Sequence, residues 1–232
     1  METAQLILMR HGESVYNQQN LFTGWTDVDL SNKGVKEAKE SAMLLKNAGI
    51  SPDICFTSWL KRAIHTAQIV LKEIEWEHID VLKSYKLNER HYGAWQGRNK
   101  SEVLKEYGQE KFLAIRRGYD TPPPPLDIND PRVPWNEKKY QNIEHNLLPL
   151  SESLKDTKKR VLEYYNDVIT PYLKENKKVF ISAHGNSLRA LVMYLENISK
   201  EDIGKLEIPT GEVIVYDFNR ELEILNKHVL RS

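Results

Sequence analysis

Short apolar runs alternate with helix-forming segments along much of this chain, and this alternation limits the fold more than any other feature. Residues 6–9 and 53–57 are apolar runs of strand length, and each precedes a segment with apolar residues at helical spacing. Ser31 and Ser58 stand where they can cap these two helices, and Gly49 lies where the first should end. Because parallel strands need crossover connections, we predict an α/β fold with a mostly parallel central sheet and helices on both faces.

The segment from about residue 88 to 150 interrupts the alternation. It contains helical patterns over 100–107 and 110–117 and four consecutive prolines at 122–125, but no clear strand. We interpret it as a cap insertion of helices and loops over the sheet.

The alternation resumes after the cap insertion. We predict a helix over 153–168 that is bent or restarted at Pro171, then a strand over 178–183 and a closing hairpin. The hairpin strands are predicted over 213–218 and 222–230. Because no linker or internal repeat divides the chain, we predict a single domain spanning 1–232.

The charge and hydropathy of the chain argue against several classes of function. Lys and Arg number 33 against 33 Asp and Glu, whereas a protein that binds nucleic acid broadly needs a basic excess. No apolar run approaches the roughly 18 residues of a membrane span, and no secretion signal opens the sequence. The single Cys55 is predicted to be an inert core thiol. We therefore expect a cytoplasmic protein with a small ligand and neither a nucleic-acid nor a membrane partner.

The dipeptide His-Gly follows a predicted buried strand twice, at His11 and at His184. Ligands of open α/β sheets bind beyond the carboxyl ends of strands, so neighbouring strands would bring both imidazoles to one pocket. Gly12 and Gly185 would let the backbone approach a ligand closely and adopt unusual dihedral angles. A satisfied core histidine is the alternative for either residue alone. The repetition after two apolar strands favours function.

Several charged residues are ambiguous when considered one at a time. Arg62 is predicted one turn inside the helix that follows 53–57, where its planar guanidinium would suit phosphate, although most helix arginines are solvated. Glu89 would ordinarily be a surface charge. Arg116 and Arg117 would by themselves be the basic end of a surface helix.

Together these motifs resemble the histidine phosphatase superfamily and, within it, the 2,3-bisphosphoglycerate-dependent phosphoglycerate mutases. The similarity rests on Arg-His-Gly-Glu-Ser at 10–14 and on the segments 58–66, 88–93 and 183–189, and it runs in family order from about residue 6 to 230. Arg-His-Gly alone would identify only the superfamily, whereas the whole series is far more specific. Further matching segments are 22–25, 99–100, 116–118, 149–150 and 208–211.

The resemblance implies an isomerase of glycolysis and gluconeogenesis that interconverts 3-phosphoglycerate and 2-phosphoglycerate through a phosphohistidine. His11 would be the nucleophile, because a neutral imidazole has a free lone pair and needs no separate base. Arg10, Arg62 and a protonated His184 would stabilise the transferred phosphoryl group without a metal ion. Glu89 would act as general acid and base.

The resemblance also implies a cofactor, an assembly and a substrate site. The cofactor 2,3-bisphosphoglycerate would prime the phosphohistidine, and the cap insertion would cover the active site. The chain would form a homodimer, to which the stretch 74–82 would contribute an apolar contact edge. The substrate-binding residues implied are Ser14, Asn17, Thr23, Gly24, Arg90, His91, Tyr92, Lys100, Arg116, Arg117, Gly185 and Asn186.

The sequence departs from its apparent relatives at three places. Trp95 and Arg98 replace residues that are more usually aliphatic, the stretch 130–141 diverges, and the sequence ends at Ser232 without the tail of many relatives. A tail that helps to cover the site would exclude water. We therefore expect bisphosphoglycerate phosphatase as a side activity, and bisphosphoglycerate synthase is a second side activity expected from the resemblance.

Two other functions stay open from the sequence. One is a phosphatase of the same superfamily, and the other is a non-catalytic module that binds phosphoproteins. The presence of His11, Glu89 and His184 argues against the module, because binding alone requires no nucleophile opposite a proton donor.

Overall fold

The computed structural model describes residues 3–231, and its centre is a six-stranded sheet. The strands are β1 (Ala4–Arg10), β2 (Ile54–Thr57), β3 (Val81–Lys83), β4 (Lys178–Ala183), β5 (Val213–Phe218) and β6 (Ile224–Leu230). Their order across the sheet is β3-β2-β4-β1-β5-β6. The first four are parallel, whereas β5 pairs antiparallel with β1 and with β6. The predicted mostly parallel sheet is confirmed, although the sequence pattern does not indicate the short edge strand β3.

Helices cover both faces of this sheet, as predicted. They are α1 (Val15–Gln18), α2 (Asn32–Asn47), α3 (Lys61–Glu73), α4 (Lys100–Tyr107), α5 (Gln109–Arg117), α6 (Leu154–Tyr164), α7 (Thr170–Lys174) and α8 (Gly185–Leu195). Successive side chains of β1 point to opposite faces. Leu8 belongs to a cluster with Val161 and Leu191, whereas Met9 belongs to one with Leu45 and Val70. Thus α6 and α8 pack on one face, and α2 and α3 pack on the other.

Local capping explains where some helices begin, but not α3. Ser31 caps α2 by accepting the N–H of Gly34, and Gly49 follows α2 with a φ of +67°. The prediction that Ser58 caps α3 is wrong, because Leu60 is the residue before the first helical turn and makes no side-chain capping bond. The chain stays extended two residues further than the pattern suggests. Arg62 is therefore the second residue of α3, not one turn inside it.

The end of the predicted helix over 153–168 differs from the pattern. Ser153 and Asp156 form a capping box at the start of α6, as the sequence suggests. The α-helix then ends at Tyr164, and a π-helical turn, Tyr165–Ile169, leads into α7. Pro171 is the second residue of α7, directly after the π-helical turn. The predicted restart at this proline is confirmed.

The segment 88–150 contains no strand, and its helices α4 and α5 match the predicted ones within one residue. Phe22 from outside the segment packs with its Tyr92, Trp95 and Phe112 in a separate apolar cluster. This cluster places the segment beside the carboxyl edge of the sheet. A cap that closes over the site, and the division into one domain over 1–232, stay predictions.

Two expectations from composition concern Cys55 and membrane spans. Cys55 lies fully buried in β2, and burial raises the pKa of its thiol, so it is the inert core thiol predicted. Across residues 3–231, no helix combines the length and the apolar character that crossing a membrane requires.

Candidate active site

His11 and His184 face each other at the carboxyl edge of the sheet. The register of β1 and β4 pairs Arg10 with Ala183, so the residue after each strand emerges at the same place. The two imidazole centroids lie 5.0 Å apart, and both side chains are buried. The predicted meeting of the two histidines is confirmed. The loop after β2 reaches the same site, where Ser58 Oγ lies 2.8 Å from His184 Nε2.

Hydrogen bonds determine which nitrogen of His11 is free to react. Nδ1 lies 2.6 Å from the carbonyl oxygen of Gly12, which can only accept, so Nδ1 carries the proton. Arg62 Nε donates to Nε2 at 3.3 Å. Burial, followed by the charges of Arg62 and Arg10, lowers the pKa of His11 well below its ordinary value. His11 is therefore neutral, and Nε2 is its unprotonated nitrogen.

Arg62 is held beside His11 by a distant loop. Its Nη1 and Nη2 donate to the carbonyl oxygens of Thr26 and Gly24, at 3.1 and 2.7 Å. Burial lowers the pKa of Arg62 to about 10, which still leaves the guanidinium charged at neutral pH. The pattern of α3 alone does not indicate this anchoring.

The protonation state of His184 depends on burial and on the charges around it. Burial lowers its pKa well below the ordinary value, and Arg62 adds to the effect. Among the protein groups His184 is therefore neutral, whereas the expectation of a protonated ring concerns the phosphoryl transfer itself and stays a prediction. A phosphoryl group beside the ring would act in the opposite direction, because nearby negative charge favours an imidazolium ion.

The glycines after the two histidines permit close packing. Neither Gly12 nor Gly185 has a positive φ, so the predicted unusual dihedral angles are wrong. A Cβ on Gly12 would lie 2.1 Å from the carbonyl oxygen of Gly34, and one on Gly185 would lie 3.3 Å from Arg10 Cζ. Gly185 thus leaves room for the Arg10 guanidinium. Arg10 Nη1 donates to the carbonyl of Ile208, whereas its buried Nε has no partner within residues 3–231.

Glu89 is held by two backbone amides. Its Oε1 accepts the N–H of Arg90 at 2.8 Å and that of Asn186 at 3.0 Å. Asn186 lies in the first turn of α8, two residues after His184, so the same turn places the imidazole and orients the carboxyl group. The side chain of Glu89 is almost fully buried and lines the adjacent cleft.

A cleft opens beside these groups. Its cationic lining residues are Arg10, Lys100, Arg116, Arg117 and Arg189. Its carboxylates are Glu89 and Glu207. Burial, followed by Arg116 and Arg10, lowers the pKa of Lys100 to about 8. This excess of positive charge suits a ligand with several phosphate or carboxylate groups.

In the described part of the chain, no group of three or more His, Cys, Asp or Glu side chains could hold a metal ion.

Most of the predicted substrate-binding residues line this cleft. They are Asn17, Thr23, Gly24, Tyr92, Lys100, Arg116, Arg117, Gly185 and Asn186. Ser14 does not, since it is buried and caps α1. Arg90 is buried and donates to the carbonyls of Ile115, Thr121 and Glu152, and His91 is buried with its Nδ1 accepting the N–H of Gly93. The positions of Ser14, Arg90 and His91 do not support substrate contact, because all three side chains are buried and none lines the cleft.

Sequence reasoning missed Arg189 and Glu207. Arg189 Nη1 donates to Asn186 Oδ1 at 2.9 Å, and Glu207 Oε1 accepts from Arg117 Nη2 at 2.8 Å. A lone arginine in the apolar stretch 188–193 is a signal that could have identified Arg189. Glu207 has no such signal, because its role depends on a partner 90 residues away in sequence.

Sequence comparison places these residues in a known family. A sequence model of the histidine phosphatase superfamily (branch 1) matches residues 6–131 and 125–229. A 2,3-bisphosphoglycerate-dependent phosphoglycerate mutase of Treponema denticola is 50% identical over 226 residues, which cover 97% of this chain and 92% of the relative. A protein of the same name from Borreliella burgdorferi (strain ZS7) is 51% identical and covers 97% of this chain and 91% of its own length.

Solved structures share the fold at much lower identity. Phosphoglycerate mutase from Bacillus anthracis str. Sterne has a TM-score of 0.69 at 20% identity, covering 98% of this chain and 92% of that one. Mycobacterial glucosyl-3-phosphoglycerate phosphatase has a TM-score of 0.73 at 19% identity, covering 99% and 98%. At such identities the structures establish the fold, whereas the relatives at about 50% identity establish the family. The chain belongs to the 2,3-bisphosphoglycerate-dependent phosphoglycerate mutases of the histidine phosphatase superfamily.

Proposed function

We propose that the protein interconverts 3-phosphoglycerate and 2-phosphoglycerate through a phosphohistidine formed at His11 Nε2, in glycolysis and gluconeogenesis. The observation that carries this proposal is the orientation of His11. Its Nδ1 is bonded to the carbonyl of Gly12, and its Nε2 faces Arg62. The ring therefore keeps a lone pair for phosphorus near neutral pH, and a permanent positive charge lies beside the atom that accepts the phosphoryl group.

Positive and polar groups around His11 would stabilise the transferred phosphoryl group. Phosphoryl transfer asks the protein mainly for in-line positioning and for stabilisation of the three equatorial oxygens. The Nε–H of Arg10 has no partner among residues 3–231, the guanidinium of Arg62 adjoins His11 Nε2, and the ring of His184 lies 5.0 Å from that of His11. We propose that these three side chains supply this stabilisation and that no metal ion is required.

Glu89 would move the proton that accompanies each transfer. When the phosphoryl group passes from His11 to the free hydroxyl of a phosphoglycerate, the P–N bond breaks, a P–O bond forms, and the hydroxyl proton passes to Glu89. When the other phosphoryl group returns to His11, Glu89 gives a proton to the oxygen it leaves. The two amide bonds to Oε1 hold the carboxyl group for this task and leave Oε2 for the substrate.

The cationic wall of the cleft would bind the parts of the substrate that do not react. Lys100, Arg116 and Arg117 lie on the wall formed by α4 and α5. A phosphoglycerate presents a carboxylate and a phosphate, which arginine binds through paired N–H groups. The neutral lining residues proposed to complete the site are Asn17, Thr23, Gly24, Tyr92, Gly185 and Asn186.

The residues of the cleft also fit the cofactor 2,3-bisphosphoglycerate. The unpartnered N–H of Arg10 and the excess of cations over carboxylates suit a molecule with two phosphates and a carboxylate. When bound, the cofactor supplies the phosphoryl group that His11 must carry before the first turnover. Lys100, Arg116 and Arg117 would hold its second phosphate and its carboxylate.

The same phosphohistidine supports the proposed side activities. Transfer of its phosphoryl group to water would give bisphosphoglycerate phosphatase activity. Release of the doubly phosphorylated glycerate before the second transfer would give synthase activity. Both activities use His11 and Glu89, so each should disappear with the mutase activity when His11 is replaced.

We also propose a homodimer in the cytoplasm. The strand β3 lies at one edge of the sheet and leaves one side of its backbone unpaired, and Leu82 within it is 37% exposed. Its residues Val81 and Leu82 belong to the stretch 74–82. The single, buried Cys55 is typical of a protein from a reducing compartment.

The proposal is tested by incubating the protein with 2,3-bisphosphoglycerate in the presence of EDTA. Peptide mass mapping should locate an acid-labile phosphoryl group on His11, and the same tube should isomerise 3-phosphoglycerate. His11→Asn should lose both, whereas His145→Asn, at an exposed histidine outside the cleft, is the matched control and should keep both. Label on another residue, loss of activity with EDTA, or inorganic phosphate in place of 2-phosphoglycerate would each contradict the proposal.

A further inference from the structure

A buried ion pair between Arg160 and Glu152 lies behind the segment that carries Glu89. Arg160 projects from α6, and Glu152 directly precedes the residue that caps this helix. Both side chains are almost fully buried. The carboxylate accepts two parallel bonds from the guanidinium, since Oε2 accepts from Nε and Oε1 accepts from Nη2, both at 2.8 Å.

The remaining N–H groups of Arg160 bond to the backbone around Glu89. Nη1 donates to the carbonyls of Lys86 and Asn88, both at 2.9 Å, and Nη2 donates to the carbonyl of Glu89 at 2.8 Å. A guanidinium has five N–H donors, and all of them are used here. Lysine has three donors on a single atom and cannot reproduce this planar pattern.

Glu152 binds the other side of the same segment. Its Oε1 also accepts the N–H of His91 at 2.9 Å, and its own N–H donates to the carbonyl of His91 at 2.9 Å. Arg160 and Glu152 together therefore contact the backbone before, at and after Glu89. Neither residue lines the catalytic cleft.

We propose that Arg160 and Glu152 are positioning residues for the proton transfer of the proposed mutase reaction, because they hold the backbone from which Glu89 reaches the substrate. This inference rests on the proposed function of Glu89. The rigid placement matters because a shift of about 1 Å in a catalytic group can lower the rate about 10²-fold. The hydrogen bonds of the two side chains stay within the pair and the segment 86–91, so substrate binding by the cationic wall should be little affected.

The direct test compares Arg160→Lys in two backgrounds. In the wild-type background, kcat for isomerisation should fall about tenfold to a hundredfold, with KM for 3-phosphoglycerate changed less than about threefold. In a Glu89→Gln background, which should itself lower kcat about 10²- to 10⁴-fold, Arg160→Lys should add less than about a twofold loss. A role confined to overall stability would multiply the losses in both backgrounds, and that outcome would overturn the proposal.

Two further variants keep the test decisive. Arg98→Lys makes the same substitution in an exposed ion pair with Glu106 and should leave kcat unchanged. Urea unfolding establishes that each variant is folded under assay conditions. If Arg160→Lys does not fold, Glu152→Gln replaces it, with the same two-background comparison and the same expected loss. Unchanged kcat in a folded variant would also overturn the inference, whereas unchanged kcat in Glu89→Gln alone would instead refute the proposed role of Glu89.

Discussion

Acidification should destabilise this protein through three buried histidines, His11, His91 and His184. Burial is the main cause that lowers each of their pKa values, and that of His91 falls to about 3. In the unfolded chain, by contrast, each ring titrates near 6.5. At a pH between its folded-state and unfolded-state pKa values, each of these histidines binds a proton in the unfolded chain but not in the folded protein. Stability is therefore fully present above about pH 6.5 and is lost as the pH falls below it.

The magnitude follows from proton linkage. A histidine that stays neutral in the folded state contributes a loss on the order of 1 kcal/mol when the pH falls from 7.5 to 5.5. Three such residues together lower the free energy of unfolding by a few kcal/mol. A natural domain has only about 5–15 kcal/mol in total, so this loss is a large fraction of its stability.

Urea unfolding at pH 7.5, 6.5 and 5.5 measures this effect. The midpoint should fall by about 1 M or more between the extremes. His91→Gln keeps a side chain that can accept the N–H of Gly93, and it should reduce the pH-dependent loss by about a third whatever its effect at pH 7.5. Equal stability at pH 7.5 and 5.5, or the same pH slope in His91→Gln as in wild type, would refute the reasoning.

Three further predictions follow from the cleft and its glycines. Because the pKa of Lys100 is about 8, kcat/KM for 3-phosphoglycerate should fall above pH 8 in wild type but not in Lys100→Arg; a fall that persists in the variant would contradict this. Glu207→Gln removes a negative charge from the cleft and should lower KM about twofold to fivefold, with the exposed Asp202→Asn as control; a raised KM would mean that Glu207 serves to hold Arg117. Gly12→Ala should lower the free energy of unfolding by about 2 kcal/mol or more, because the added Cβ would clash with the backbone of Gly34. In the control Gly204→Ala the nearest atom lies 3.6 Å from the added Cβ, and an equal loss of stability there would disprove this cause.

The bounds of several strands and helices that lead to the site could be predicted from local sequence signals. The strand Lys178–Ala183 and the helix Lys100–Tyr107 have the predicted bounds, because apolar periodicity and capping act within a few residues. The start of α3 was harder to predict, since Ser58 is an acceptable cap by type. In the structure Ser58 bonds to His184 and to the N–H of Leu60 instead. Competition from a partner 126 residues away cannot be read from local sequence.

The same distinction applies to the residues around the site. Arg90 and His91 share a motif with Glu89, yet their side chains turn into the protein and bond to backbone groups. Arg160 belongs to no recognisable motif. All of its guanidinium N–H groups nevertheless donate to Glu152 or to backbone carbonyls of the segment that carries Glu89. Which face of a loop meets the cleft depends on the packing of elements far apart in sequence.

The sequence by itself determined the strand and helix alternation, the mostly parallel sheet, and the placement of each of two histidines directly after an apolar strand. These features follow from side-chain periodicity and from the rule that parallel strands end at a common edge. Only the tertiary structure decided that the two strands are neighbours, that Nε2 of His11 is the unprotonated nitrogen, and that His184 is neutral among the protein groups. It alone also shows that Arg160 bonds to the backbone of Glu89. Protonation and orientation depend on burial and on long-range hydrogen bonds, which exist only after the chain has folded.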